Sequence, residues 1–206
     1  MGHRVVCVTL PGLAPGDDPS GHRLKDAEDH LVRVIGRESG PVSLVGHSWA
    51  GYPIVGALPR SSTVTEVVFV NAQIPVPGKS LLDDNPVANA ELLRGAIQES
   101  EHGAIPPLIE YVEQLFLQDA APALQRFVAD LLTPQPGRYF SDTFEGSGAV
   151  ALGVPCRYLL SEHDRALQWP GECFAARLGT DPVSVPGTHD SLLTHPDELA
   201  RAILAG

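Results

Sequence analysis

Nowhere in this sequence do Lys and Arg cluster into a run, and acidic residues outnumber basic ones by 25 to 14, for a formal net charge of −11. Nucleic acids and acidic membranes are polyanions that reward grouped cations, so neither is an expected partner. Long apolar runs are missing too. The longest, Val64 to Val70, is interrupted by Thr65 and Glu66 and falls far short of the ~20 residues that cross a bilayer. The first residues, Met1 to Val8, lack the apolar core and small-residue site of a secretory signal, which predicts a cytoplasmic protein. Cysteine is scarce: Cys7, Cys156 and Cys173 are widely spaced, with no C-x-x-C pair. That spacing predicts reduced thiols and argues against a disulfide framework or a zinc site. Cys7 and Cys156 fall in predicted strands, where buried packing is the expected role.

What is present is enough to fold. A chain of 206 residues that is 43% hydrophobic and 19% charged can bury a sizeable core, and residues 1–206 are read as one domain. Short apolar runs alternate with helical patterns, which predicts an α/β fold with a mostly parallel sheet. The predicted strands run from Arg4 to Leu10, Pro41 to Gly46, Glu66 to Asn71, Cys156 to Leu160 and Val183 to Val185. Helical spacing of Leu24, Ala27, Leu31, Val34 and Ile35 predicts the first helix. Another runs from about Trp49 to Pro59, a third from about Gly171 to Leu178, and the last opens at Pro196, whose fixed φ suits a first helical position. Between the third and fourth strands lies a long excursion, residues 72–154. It carries helical patterns at Ala88 to Gln98, Pro107 to Leu117 and Ala121 to Leu132. So long an insertion is read as a helical cap over a site, with plain extra core helices as the alternative.

The chemistry-bearing string is Gly46-His47-Ser48-Trp49-Ala50-Gly51, set between a buried strand and a helix. A serine in such a turn lifts its hydroxyl over the sheet, and only small residues two positions either side permit the bend. Gly46 and Ala50 are those neighbours, and Gly51 would let the helix approach the sheet closely. The Trp49 backbone N–H, in the first turn of the helix, could stabilise an oxyanion on the carbonyl that Ser48 attacks. Pro53, one turn in, predicts a distorted first turn. A serine here could instead merely cap the helix.

An activated serine needs a histidine in reach and an acid that fixes the histidine tautomer. His189 is best placed, in the turn-rich loop Pro186 to Asp190 after the last strand, where parallel sheets put their chemistry. His47 is read as a packed residue, His195 as a capping neighbour of the last helix, and His3, His22, His30 and His102 as surface residues. Asp190 is expected to serve its own loop. For the acid, Asp164 and Glu162 both follow the strand Cys156 to Leu160, and the residues alone leave the two open.

At these positions the chain resembles the α/β-hydrolases related to plant methylesterases, hydroxynitrile lyases and bacterial pyrethroid-hydrolase-like esterases. The likeness runs over nearly the whole length. It is carried by Thr9-Leu10-Pro11-Gly12, Val45 to Gly51, Val70-Asn71-Ala72 followed by Pro75 and Pro77 to Ser80, Leu132 to Pro136, Asp164-Arg165-Ala166, and Thr188-His189-Asp190 leading to Thr194 to Leu199. It implies an α/β-hydrolase fold, a Ser48–His189–Asp164 triad, a small ester as substrate, and neither metal nor cofactor. Two departures accompany it. Asn71 stands where relatives often show an aspartate. The strand, loop and helix that precede Gly2 to Val5 in such enzymes, and that supply the second oxyanion donor, have no counterpart, so the first strands are expected to be missing. An unpaired sheet edge left there would favour a homodimer. Such a shortened scaffold also sustains an alternative: a non-catalytic or non-hydrolytic relative, binding or lyase-like, without a complete oxyanion hole.

Overall fold

A computed structural model of the chain describes residues 2–205. In chain order the elements are α1 (Leu24–Ile35), β1 (Val42–His47), α2 (Gly51–Ala57), β2 (Val64–Val70), α3 (Val87–Glu99), β3 (Ala104–Ile105), α4 (Ile109–Tyr111), α5 (Pro122–Leu131), β4 (Gln135–Pro136), α6 (Arg138–Ser141), β5 (Cys156–Ser161), α7 (Gly171–Ala176), β6 (Pro182–Val185), α8 (Ser191–Thr194) and α9 (Pro196–Leu204). Four strands form one parallel sheet in the order β1-β2-β5-β6. Because all four run the same way, their carboxyl ends share one edge, and the loops leaving that edge are neighbours. No helix among the described residues is long and apolar enough to cross a membrane.

The pleat of β2 sends alternate side chains to opposite faces. Val67 and Phe69 join a large cluster with Leu24, Ala27, Leu31 and Ile35 of α1 and with Tyr52, Ile54 and Val55 of α2. Val68 and Val70 meet Leu159, Val185 and Leu199 on the other face. Both faces of β2 are therefore covered, and at ~1.5–3 kcal/mol for each fully buried Val or Phe this strand anchors the sheet. The helix α1 forms over the predicted residues and buries Leu24, Ala27, Leu31 and Ile35 of the predicted stripe, with Val34 half-buried.

The first predicted strand is not there. Residues 4–10 pair with no other strand, and Val5, Val6 and Val8 are exposed. A β-branched run becomes a strand only when a ladder partner satisfies its N–H and C=O groups. Here β1 pairs on one side with β2, and its other edge has no partner among the described residues. Cys7, expected to be packed, is accordingly exposed, while Cys156 at the start of β5 is half-buried. The end of the segment is held by loop contacts instead: the Tyr139 hydroxyl donates to the Pro11 carbonyl at 2.6 Å.

The helices α3 to α6 lie between β2 and β5. Part of this insertion has its own apolar cluster of Val112, Leu117 and Val128. The single helix predicted from Pro107 to Leu117 is instead α4 followed by a π-helical turn at Val112–Phe116. Pro106 and Pro107 bias the chain to extended backbone, which delays the helix to Ile109. The two-residue strands β3 and β4 pair with each other and are too short to leave a period in the sequence.

Candidate active site

Each strand of the sheet delivers one site residue just beyond its carboxyl end: β1 leads to Ser48, β2 to Asn71, β5 to Asp164 and β6 to His189. Ser48 sits at φ +53°, in the left-handed region that non-glycine residues rarely adopt. The strain follows from turning a strand straight into a helix. Space for the turn comes from glycine on both sides. A Cβ at Gly46 would lie 2.4 Å from Ile54 Cδ1, and one at Gly51 would lie 2.2 Å from the Gln73 carbonyl oxygen. The Gln73 amide in turn donates to the Ser48 carbonyl at 2.9 Å, tying the bend to the end of β2. The first turn is 3-10, Ser48–Ala50, before α2 begins. Pro53 is the third residue of α2, where its missing N–H falls among the donors a helix start leaves without intrahelical partners.

The Ser48 hydroxyl lies 2.8 Å from His189 Nε2, and His189 Nδ1 lies 2.6 Å from Asp164 Oδ2. Nδ1 donates to the carboxylate, so Nε2 is left as the acceptor for the serine proton. Asp164 Oδ1 accepts from the amides of Ala166 at 2.9 Å and Leu167 at 3.0 Å. Burial pushes the Asp164 carboxyl up, but the His189 hydrogen bond and charge, with those two amides, outweigh it and hold the group below its ordinary value. Asp164 and His189 each expose only 4% of their side chains, while Ser48 is half-buried. The serine is thus the member of the chain of hydrogen bonds that meets the outside. Glu162, the other acid, is exposed and bonds to Ser184 at 3.3 Å, away from the imidazole.

A profile of the Alpha/beta hydrolase family matches residues 1–202. The chain belongs to the alpha/beta hydrolase family. Solved structures of that fold superimpose well on it. An extracellular alpha/beta-hydrolase from a Paenibacillus species, described as sharing structural and functional homology with tobacco salicylic acid binding protein 2, gives a TM-score of 0.81 at 18% identity, over 92% of this chain and 81% of that one. A methylesterase from Arabidopsis gives 0.70 at 16%, over 92% and 79%. A pyrethroid hydrolase gives 0.64 at 21%, over 94% and 82%. At these identities the likeness is one of fold. No curated protein matches the sequence.

Around this alpha/beta hydrolase site the remaining histidines sort by packing. His47 Nε2 donates to the His189 carbonyl at 2.9 Å and lies 3.5 Å from Asp190 Oδ1. Burial, and then the neighbouring His189, push the His47 imidazole down to about 3, so it is a neutral donor. Burial raises the Asp190 carboxyl above its ordinary value. His195 caps α9, and its ring packs where a Cβ on Gly187 would come within 2.6 Å. His3 and His102 are exposed. His22 and His30, expected at the surface, are half-buried, His22 because its ring packs over the bare Cα of Gly12. Ligand atoms of His47, His189 and Asp190 lie within 4.8 Å of one another. Both nitrogens of His189 are already engaged by Ser48 and Asp164, so an ion held there would have to break that chain.

Three neighbours of the site make contacts that the sequence did not indicate. Phe116, in the π-helical turn, sets its ring 5.5 Å from that of His189, and its carbonyl accepts from the Asp190 amide and the Thr188 hydroxyl. Trp49, expected only for its amide, also stacks its indole on Tyr139 at 4.4 Å and donates from Nε1 to the Tyr139 carbonyl. Asn71 is fully buried with φ +45°. A cavity of about 380 Å³ lies behind Asp164, bordered by Leu167, Gln168 and Trp169; Ser48 and His189 do not line it.

Proposed function

We propose that the protein is a serine hydrolase that cleaves a small carboxylic ester. The observation that carries this is the unbroken hydrogen-bonded chain from the Ser48 hydroxyl through the His189 imidazole to the Asp164 carboxylate. In this reading His189 Nε2 takes the serine proton as Ser48 Oγ attacks the ester carbonyl, and Asp164 holds the imidazole in the tautomer that can accept it. The Trp49 amide, next in the chain after the nucleophile, donates to the oxyanion of the tetrahedral intermediate. Collapse expels the alcohol, which receives the proton from His189, and leaves an acyl group on Ser48. Water activated by the same imidazole then releases the acid. The helices inserted within residues 72–154 serve as the cap that covers the reacting bond.

All three of these similar structures are hydrolases by name, and one of them is a methylesterase, which supports the ester class. The test is labelling with a fluorophosphonate, which phosphonylates only an activated serine. The wild-type protein is expected to label and Ser48→Ala to remain unlabelled. A folded wild-type protein that resists the reagent would instead identify a binding or lyase-like relative.

A further inference from the structure

We infer that Asn71 is a positioning residue for His189, fixing the height of the base above the sheet through the histidine's own carbonyl. That carbonyl takes two donors, Asn71 Nδ2 at 2.8 Å and His47 Nε2 at 2.9 Å, so both of its lone pairs are used. The other proton of the Asn71 amide goes to Ser161 Oγ at 2.9 Å, and Asn71 Oδ1 accepts from the Ser161 backbone N–H at 2.8 Å. Ser161 Oγ passes its own proton to Ser191 Oγ at 3.0 Å. One amide thus joins the ends of β2 and β5 to the loop that carries the imidazole. Two residues further on, the Gln73 amide holds the carbonyl of Ser48. The short piece 71–73 therefore grips the base and the nucleophile at once.

The residue type follows from these demands. The position needs two donors and one acceptor on a side chain that is 0% exposed, on a backbone with φ +45°. Asparagine tolerates left-handed backbone better than most residues and carries that set of groups. An ionised aspartate would turn an acceptor toward the His189 carbonyl, itself an acceptor. The groups around the imidazole are Asp164 on Nδ1, the His47 ring at 4.7 Å, Asp190 next in the chain, and Asp119, which accepts from Thr188. None of them replaces the amide.

The kinetic part of this inference rests on the hydrolase reading; the spectroscopic part does not. Asn71→Gly keeps the backbone conformation and removes the amide. Ser161→Ala removes the hydroxyl that links the amide to Ser191 and leaves the Asn71 bond to His189 in place. With p-nitrophenyl acetate, and active sites counted by fluorophosphonate titration, Asn71→Gly should lose about ten- to a hundred-fold in kcat per site with KM within about two-fold. The downfield proton resonance of the His189 Nδ1–H bound to Asp164 should weaken or vanish in the same variant. Ser161→Ala should lower Tm yet keep both the resonance and kcat. Should Asn71→Gly fail to fold, Asn71→Ser keeps a small polar side chain there, removes the amide's reach to the His189 carbonyl, and is expected to show the same losses. A folded Asn71 variant with wild-type kcat per site and an unchanged resonance overturns the inference, as does Ser161→Ala losing as much as Asn71→Gly. If the wild-type protein does not label but its resonance still depends on Asn71, the positioning role stands and the hydrolase reading falls.

Discussion

Residues 4–10 (RVVCVTL) and the strand β2 (VTEVVFV) are nearly interchangeable by composition, and they end up as opposites. In β2 Val67, Val68 and Phe69 are buried to within 1% of completely, whereas Val5 is 79% exposed. The difference lies in what stands alongside. β2 has β1 on one side and β5 on the other, so each residue added to it gains ladder bonds and two apolar faces. The segment 4–10 has no ladder partner and packs only Leu10 at its end against the core, so its intrinsic preference for extended backbone goes unrewarded. A β-branched run states what a segment can do, and its neighbours decide whether it does so.

The comparison can be broken most violently inside β2. Val68→Asp places an unpaired carboxylate between Leu159, Val185 and Leu199, a change expected to cost on the order of 4 kcal/mol or more. Loss of a cooperative thermal transition would be the reading. Next comes the end of the same strand. Gly51→Ala pushes a methyl group against the Gln73 carbonyl, a clash with backbone that should cost ~1–3 kcal/mol. Because Gln73 also holds Ser48, fluorophosphonate labelling should slow along with the drop in Tm. A fully stable, fully reactive Gly51→Ala would show that the bend is looser than the close contact implies.

A smaller effect sits at the end of β1. The fold keeps the His47 imidazole neutral well below its ordinary value of 6.5. As pH falls below about 6.5, the unfolded chain therefore takes a proton that the folded one refuses, and stability declines. His47→Gln removes that contribution, so the loss of Tm between about pH 7 and about pH 5 should be shallower than in the wild type. Asp164, whose folded value is depressed, adds its own loss at lower pH, as acid protonates the carboxylate that His189 holds. The smallest change belongs to the exposed residues of the segment 4–10. Val6→Asp should shift stability by no more than about 0.5 kcal/mol, and a large loss in urea melts would mean that residues 4–10 are packed after all.

Much of the candidate site is built from parts that are local in the sequence. A glycine-flanked serine between a strand and a helix, and a histidine in a turn after the last strand, are patterns a few residues long. The three candidates Ser48, Asp164 and His189 come within hydrogen-bonding distance because parallel topology collects the ends of their strands. What could not be read depends on partners distant in the chain. The fate of residues 4–10 turns on the neighbour of β1, and Asn71 makes its bonds to Ser161 and His189 across gaps of 90 and 118 residues. A lone asparagine after a strand has no period or spacing to mark it. The late start of α4 was hidden for a different reason, since Pro106 and Pro107 shift it to Ile109 while the apolar spacing continues through them.

That π-helical turn has one more consequence. The Phe116 carbonyl is bound by the loop bearing His189, and the Gln118 side chain donates to the His163 carbonyl at 2.7 Å, in the loop bearing Asp164. A few residues of the insertion thus hold both of the loops that carry the imidazole and the carboxylate. On the proposed hydrolase reading, a shift at residues 116–118 would therefore pull on the loops of His189 and Asp164 together.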